Sequence, residues 1–106
     1  MMNPWAGEVA LILDGERRVA KLTLGALAEL EAAMQADSLV SMIQRFEEGA
    51  FTTRDVLAVV VAGLRGGGWR GTASDLMTLE IGGGAGEAAR IAARLLARAF
   101  APFEAT

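Results

Sequence analysis

Apolar and polar residues alternate near the start of the chain, in a pattern typical of a β-hairpin. Residues 8–13 (EVALIL) are rich in β-forming side chains, and apolar and polar positions alternate along residues 16–24 (ERRVAKLTL). Between the two segments, Asp14 and Gly15 can both take the positive φ that a tight primed turn requires. The pattern predicts a two-stranded hairpin over residues 8–24. It must pack against later elements, because an isolated hairpin is only marginally stable in water.

From residue 25 the apolar side chains recur at spacings of three and four, which is typical of helices. Thr23 can cap the first helix, which we expect to begin at residue 25. A second helix is predicted over residues 39–48, between a cap at Ser38 and a stop at Gly49. Its apolar stripe consists of Leu39, Met42, Ile43 and Phe46.

The third helix has the clearest start signal in the chain. Thr52 and Asp55 have the spacing of a capping box, with Asp in place of the more usual Glu. Residues 56–64 are then apolar on all sides, so the helix over residues 53–65 is predicted to be the buried centre of the domain. A buried strand is the alternative, because Val59 and its neighbours are β-branched, but the cap favours the helix.

Two further helices are predicted towards the end of the chain. Thr72 and Asp75 form another capping pair and predict a short helix over residues 73–81, which stands between two triple-glycine segments. A last helix is predicted over residues 86–100, with Pro102 as its stop signal.

These elements predict a single α+β domain that is mainly helical. A chain of 106 residues is enough for one domain. We expect an N-terminal extension (1–7), the hairpin (8–24) and a helical part (25–101). In the expected fold, four to five short helices pack around the buried central helix.

A glycine-rich segment after the central helix raises the question of nucleotide binding. Gly66, Gly68 and Gly71 have the spacing G-x-G-x-x-G, which cradles a pyrophosphate when a strand precedes the loop. Here a helix precedes it, and no Lys-Ser/Thr pair follows to suggest a phosphate loop. We interpret these glycines as residues that end one helix and form the turn before the next, and we predict no cofactor.

Composition and charge exclude further classes of function. Apolar residues make up 53% of the chain and charged residues 22%, which is typical of a globular protein. The longest apolar run, residues 56–64, is far shorter than the roughly 20 residues of a membrane helix. The N-terminus lacks the layout of a signal peptide, so we expect a cytoplasmic protein that does not enter a membrane. The net charge of −3 argues against nucleic acid as a partner.

The residues needed for catalysis are largely missing. The chain has neither cysteine nor histidine, which excludes disulfides and zinc–thiolate sites and removes the commonest general base. The acidic pairs Glu29/Glu31 and Glu47/Glu48 do not converge with any nucleophile. We therefore expect that the protein is not an enzyme and binds no metal.

Binding to another protein is the remaining class. Trp and Arg in the glycine-rich loop are residue types enriched at interface hot spots, and a methionine on the following helix is adaptable. Arginines that recur every four residues on the last helix either bind an acidic partner or form its solvated face. The candidate partner-binding residues are Trp69, Arg70, Met77, Arg90, Arg94 and Arg98.

Three stretches carry a resemblance to a known family. They are NPWAGEVAL (residues 3–11), LTLGALAELE (residues 22–31) and RDVLAVVVAGLRGGGW (residues 54–69). In combination they resemble the gene transfer agent family of small phage-tail proteins, which occurs in tail gene clusters.

The resemblance implies a non-enzymatic role in building a phage-like tail. Such proteins are usually grouped with tail assembly chaperones and are sometimes labelled tail tube proteins. A chaperone would bind the tape measure protein, tube subunits or both, through an apolar groove that accepts a helix. A structural tube component is the alternative, and leftover apolar surface makes homo-oligomers plausible.

Overall fold

A computed structural model describes residues 7–34 and 37–100 of the chain. Two strands come first and five helices follow, which confirms the predicted α+β, mainly helical class. The predicted extension, apart from Gly7, and the predicted stop at Pro102 lie outside the described residues. The elements are β1 (Glu8–Leu13), β2 (Glu16–Lys21), α1 (Leu24–Met34), α2 (Leu39–Glu48), α3 (Thr53–Gly66), α4 (Ala73–Leu76) and α5 (Gly84–Phe100).

The two strands form the predicted antiparallel hairpin, in which Leu13 pairs with Glu16 across the turn. Asp14 (φ 52°) and Gly15 (φ 85°) both lie at positive φ, as a primed turn requires. Side chains from one face of the hairpin enter the core, because successive residues of a strand point to opposite faces. The buried ones are Val9, Leu11, Leu13 and Ala20.

Helix α3 is the buried centre of the fold, as the sequence predicts. Helices α1, α4 and α5 pack against it, and so does strand β2. Its side chains Val59, Val60 and Leu64 have no solvent exposure. Leu30 of α1 and Leu95 of α5 belong to the same apolar core.

The helices begin at the caps that the sequence predicts. The side chain of Thr23 accepts a hydrogen bond from the backbone N–H of Ala26 at the start of α1, at 3.0 Å. Helix α2 begins after Ser38 and ends at Gly49, which has the left-handed conformation (φ 71°). Complete capping boxes begin the next two helices. They are formed by Thr52 with Asp55 before α3, and by Thr72 with Asp75 before α4.

Helix α4 is much shorter than predicted. It ends at Leu76, whereas the sequence predicts a helix over residues 73–81. Ile81 instead forms a β-bridge with Leu13 of the hairpin. Backbone hydrogen bonds to the strand edge thus replace the last helical turns, and the following glycines do not close this helix.

Residues 80–82 cover the outer edge of strand β1. The backbone N–H of Asp14 donates to the carbonyl of Glu80 at 2.7 Å, and that of Gly82 donates to the carbonyl of Ile12 at 2.8 Å. At the other end of the strand, the Arg98 guanidinium donates to the carbonyl of Glu8. Groups of the same chain therefore occupy this edge at both ends.

The outer edge of strand β2 lies against the end of α3. Gly66 and Gly67 pack on the carbonyl groups of Lys21 and Val19, and a Cβ atom at either glycine would come within 1.9 or 2.0 Å of the carbonyl oxygen. These glycines therefore do more than end the helix. They also lack the side chains that would keep the helix away from the strand.

Candidate partner-binding groove

A groove of about 820 Å³ runs along helices α1 and α3. Leu30 and Met34 of α1 and Leu57, Ala58 and Val61 of α3 line it. The volume falls within the range of roughly 300–1,000 Å³ that is typical of ligand-binding clefts.

One end of the groove is closed by an ion pair between the two helices. The Arg65 guanidinium of α3 donates to the Glu29 carboxylate of α1 at 2.9 Å. This hydrogen bond raises the pKa of Arg65. Arg65 also donates to the carbonyl of Gly71 at 3.0 Å, so the glycine-rich loop is fastened to the same end of the groove.

At the opposite end, Arg45 of α2 binds two carboxylates. It contacts Asp55 through two hydrogen bonds, at 2.9 and 3.0 Å, and lies 2.7 Å from Asp37. Hydrogen bonds from Arg45 are the main cause that lowers the pKa of both aspartates. Because Asp55 also accepts from the backbone N–H of Thr52, one carboxylate joins α2 to the start of α3.

Arg54 stands at this end of the groove with a different environment. Arg54 is exposed and is one of the residues that line the groove. Within the described part of the chain, Arg54 forms no ion pair, in contrast to Arg45 and Arg65. It is therefore a cation available to a partner.

Of the candidate residues from the sequence, Met77 is the one that the structure brings to the groove. It lies just after α4, lines the groove wall and is 68% exposed. A flexible, exposed methionine can adapt to the shape of an apolar partner. Its role in binding stays a prediction.

Trp69 and Arg70 lie in the adjacent loop and do not line the groove. Trp69 is half-buried and Arg70 is exposed. The indole ring covers Gly71, where a Cβ atom would come within 2.1 Å of a ring carbon. Both stay candidates for contacts beyond the end of the groove that Arg65 closes.

The arginine stripe of α5 also lies outside the groove. Arg90 and Arg94 both contact the Glu87 carboxylate, at 2.9 and 3.5 Å. The two arginines lower the pKa of this carboxyl group, and the hydrogen bond from Arg90 is the main cause. Arg98 is the residue that donates to strand β1. The stripe therefore forms ion pairs and backbone contacts within the chain, and its role towards a partner stays a prediction.

Sequence reasoning missed most of the groove residues. Leu57, Ala58 and Val61 belong to the apolar run that predicted a fully buried helix, but each remains partly exposed. Ala33 on α1 is exposed beside them. The available signal was the excess of apolar side chains on α3, which did not say which side α1 and α4 would leave open.

The groove carboxylates Asp37 and Asp55 are unsuited to act as general acids. With their pKa values lowered, Asp37 and Asp55 stay ionised near neutral pH and have no proton to donate. Among the residues described, no cluster of three or more potential metal-ligating side chains occurs. No described helix has the length and apolar character needed to cross a membrane.

Comparison with known proteins agrees with the resemblance seen in the sequence. A family model described as "Phage tail tube protein, GTA-gp10" matches residues 6–102. No curated protein and no solved structure matches the chain. The family match extends through α5, well beyond the stretches that carried the resemblance. The chain belongs to this gene transfer agent family of phage tail proteins.

Proposed function

We propose that this phage-like tail protein is a non-enzymatic tail assembly chaperone of a gene transfer agent. It binds the tape measure protein, tail tube subunits or both, while the tail is built in the cytoplasm of the producing bacterium. The observation that carries this proposal is the way in which the chain covers the edges of its own hairpin.

A tube component needs backbone edges that can pair between subunits. The sheet described here has two strands. In β1, the outward carbonyls of Glu8 and Ile12 already accept hydrogen bonds from the same chain. In β2, those of Val19 and Lys21 lie against the end of α3. An edge occupied in this way is a poor template for a strand from another subunit, which favours the chaperone over the tube.

The apolar groove supports the same proposal. A chaperone must hold exposed apolar segments of its client reversibly, and a groove lined by leucine, valine and methionine provides contacts of that kind. The groove carboxylates that bind Arg45 hold no proton for catalysis near neutral pH. The arrangement can bind a polypeptide without altering it.

A structural tube component is the second candidate, because the family description names a tail tube protein. That role requires the hairpin to give up its contacts with residues 80–82 or with the end of α3 in the assembled ring. Self-association of the free chain, which leftover apolar surface would support, is compatible with either role.

Co-expression tests the proposed function. The tagged chain is produced with the tape measure protein encoded in the same tail gene cluster, and separately with the tube subunit. We expect the tape measure protein to co-purify and to stay soluble longer than when it is produced alone. A tape measure protein that is equally soluble alone and is never recovered with the chain would contradict a chaperone role.

A further inference from the structure

We propose that residues 80–82, the covering segment, keep strand β1 from pairing with a second copy of this chain. Once the segment is displaced, the C-terminal end of β1 pairs with the same strand of the second copy. This inference goes beyond the proposed function and does not depend on it. It follows from the hydrogen bonds of the segment, the symmetry of the groups that it covers and the packing of Gly82.

The covering segment occupies one donor and one acceptor on the outer edge of β1. The backbone N–H of Asp14 donates to the carbonyl of Glu80, and that of Gly82 donates to the carbonyl of Ile12. A neighbouring strand would form two hydrogen bonds of the same kind. An edge that presents such a donor and acceptor is a template for a strand of another chain, so the covering segment excludes that strand.

The two covered groups of β1 are complementary to each other across a two-fold axis. Leu13 lies between them and forms the β-bridge with Ile81. When a second copy approaches antiparallel with its Leu13 at the position of Ile81, the N–H of Asp14 in each copy faces the carbonyl of Ile12 in the other. The second copy thus restores both hydrogen bonds that the covering segment made. This reciprocity makes a second copy the partner that fits the edge.

Neighbouring features limit the pairing to the end of the strand. The Asp14–Gly15 turn carries the chain away from the edge after Asp14. Towards the start of β1, the Arg98 guanidinium donates to the carbonyl of Glu8. Between these limits, Ile12 lies opposite Asp14 of the second copy, so no two like charges face each other. We therefore expect a closed dimer that is weak and forms only at high concentration.

Gly82 provides the means to displace the covering segment. A Cβ atom at this position would come within 2.9 Å of the Cβ atom of Ile12, so the segment or the strand must shift. The Ile12 Cβ is bonded to the backbone and cannot rotate away as the end of a long side chain can. Gly82→Ala is therefore expected to displace the segment. Gly86→Ala is the matched control, because a Cβ atom there has the end of Arg90 as its nearest neighbour, at 3.9 Å.

Hydrogen exchange and sedimentation measure displacement and pairing separately. In dilute Gly82→Ala we expect the amide of Asp14 to exchange at least about tenfold faster than in the parent chain. At high concentration of this variant, the Asp14 amide should regain protection and sedimentation should show a dimer. The parent chain and Gly86→Ala should keep this amide protected at every concentration and form no dimer through β1. Circular dichroism establishes that the variants fold like the parent chain.

A cysteine in place of Leu13 tests the position of the two-fold axis. In the proposed dimer the two Leu13 residues form a non-hydrogen-bonded pair, whose Cα atoms are about 4.5 Å apart. A disulfide spans this distance, and the parent chain has no cysteine of its own. Leu13→Cys in the Gly82→Ala variant should therefore give covalent dimers on mild oxidation. Leu11→Cys in the same variant is the control, because Leu11 is also buried but lies opposite residue 15 of the second copy, so no two thiols meet.

Ile81→Ser provides a second way to displace the segment, because it removes the apolar side chain that packs against the core. If neither Gly82→Ala nor Ile81→Ser exposes the Asp14 amide, the segment is not displaceable and the proposal is wrong. It is also wrong if the exposed amide stays unprotected at high concentration, or if Leu11→Cys cross-links as readily as Leu13→Cys.

Other occupants of the edge give different results. If the Asp14 amide regains protection only after the tape measure protein or the tube subunit is added, another chain occupies the edge and the pairing of two copies is wrong. Co-purification with the tape measure protein tests the chaperone role alone, and either result there leaves the role of the covering segment unchanged.

Discussion

Gly66 shows how much a single missing side chain contributes to this fold. It lies at the end of α3, where the space that a Cβ atom would need is occupied by the carbonyl of Lys21. The contact is with backbone, which cannot move aside as a flexible side chain can. Close packing of helix on strand at this point therefore depends on glycine.

We expect Gly66→Ala to destabilise the chain by about 3 kcal/mol, because the helix and the strand must separate. Gly25→Ala is the control, since this helical glycine has Thr23 Oγ1 as its nearest neighbour, at 3.8 Å. The control should be as stable as the parent chain or more stable by up to about 1 kcal/mol. Urea denaturation measures both, and equal stability of the two variants would show that the packing at Gly66 is unimportant.

At the scale of elements, α2 is the helix that depends most on a polar attachment. Met42 is its one buried side chain within the described residues, whereas Leu39, Ile43 and Phe46 are half-buried and Val40 is exposed. Arg45 ties the helix to Asp37 and Asp55. The placement of α2 therefore depends on ionised carboxylates as well as on apolar contacts such as the stacking of Phe46 on Phe51.

This attachment makes α2 sensitive to acid. The folded-state pKa values of Asp37 and Asp55 lie below the ordinary value of 3.8. Their contribution to stability is therefore complete above that value, and it is lost as the pH falls through the lowered folded-state pKa values. Hydrogen exchange should show the amides of α2 losing protection below about pH 4 before those of α3 do.

Arg45→Met provides the control for the acid response. It keeps the aliphatic part of the side chain and removes the charge, so α2 should exchange faster at neutral pH and show little further change on acidification. Protection of α2 in the parent chain that is independent of pH from 7 to below the aspartate pKa values would contradict the assigned role of Arg45.

The elements that could be predicted are those fixed by neighbouring residues. The Asp14–Gly15 turn and the caps at Thr23, Ser38 and Thr52 depend on side chains within a few positions of the backbone groups that they serve. Helix α4 was predicted too long because Ile81 pairs with a distant strand. A local pattern does not reveal that competing partner.

The groove was beyond prediction for a similar reason. The sequence predicts that α3 is apolar on all sides and that a helix begins near residue 25, but the groove depends on where these helices meet. Ala33 and Arg54 have no distinguishing local signal, and they become a candidate site only when α1 and α3 lie side by side. Met77 was predicted as a candidate because a methionine side chain is flexible and can adapt to a partner.

For the whole molecule, the covered hairpin and the open groove lead to the same conclusion. Parts of both edges of the two-stranded sheet are covered by the same chain, which disfavours assembly through the sheet at those positions. Apolar side chains of α1 and α3 also line an open groove, which Met77 borders. Membership of the tail protein family identifies the chain as a component of a phage-like tail system.

Quantitative mass spectrometry of purified gene transfer particles tests the central claim most directly. The chaperone account predicts that the chain is absent from mature particles, while it is found with the tape measure protein in extracts of cells that are assembling tails. If the chain is present in washed particles at a copy number comparable to that of the tube subunit, it is a structural tail component and the chaperone account is wrong.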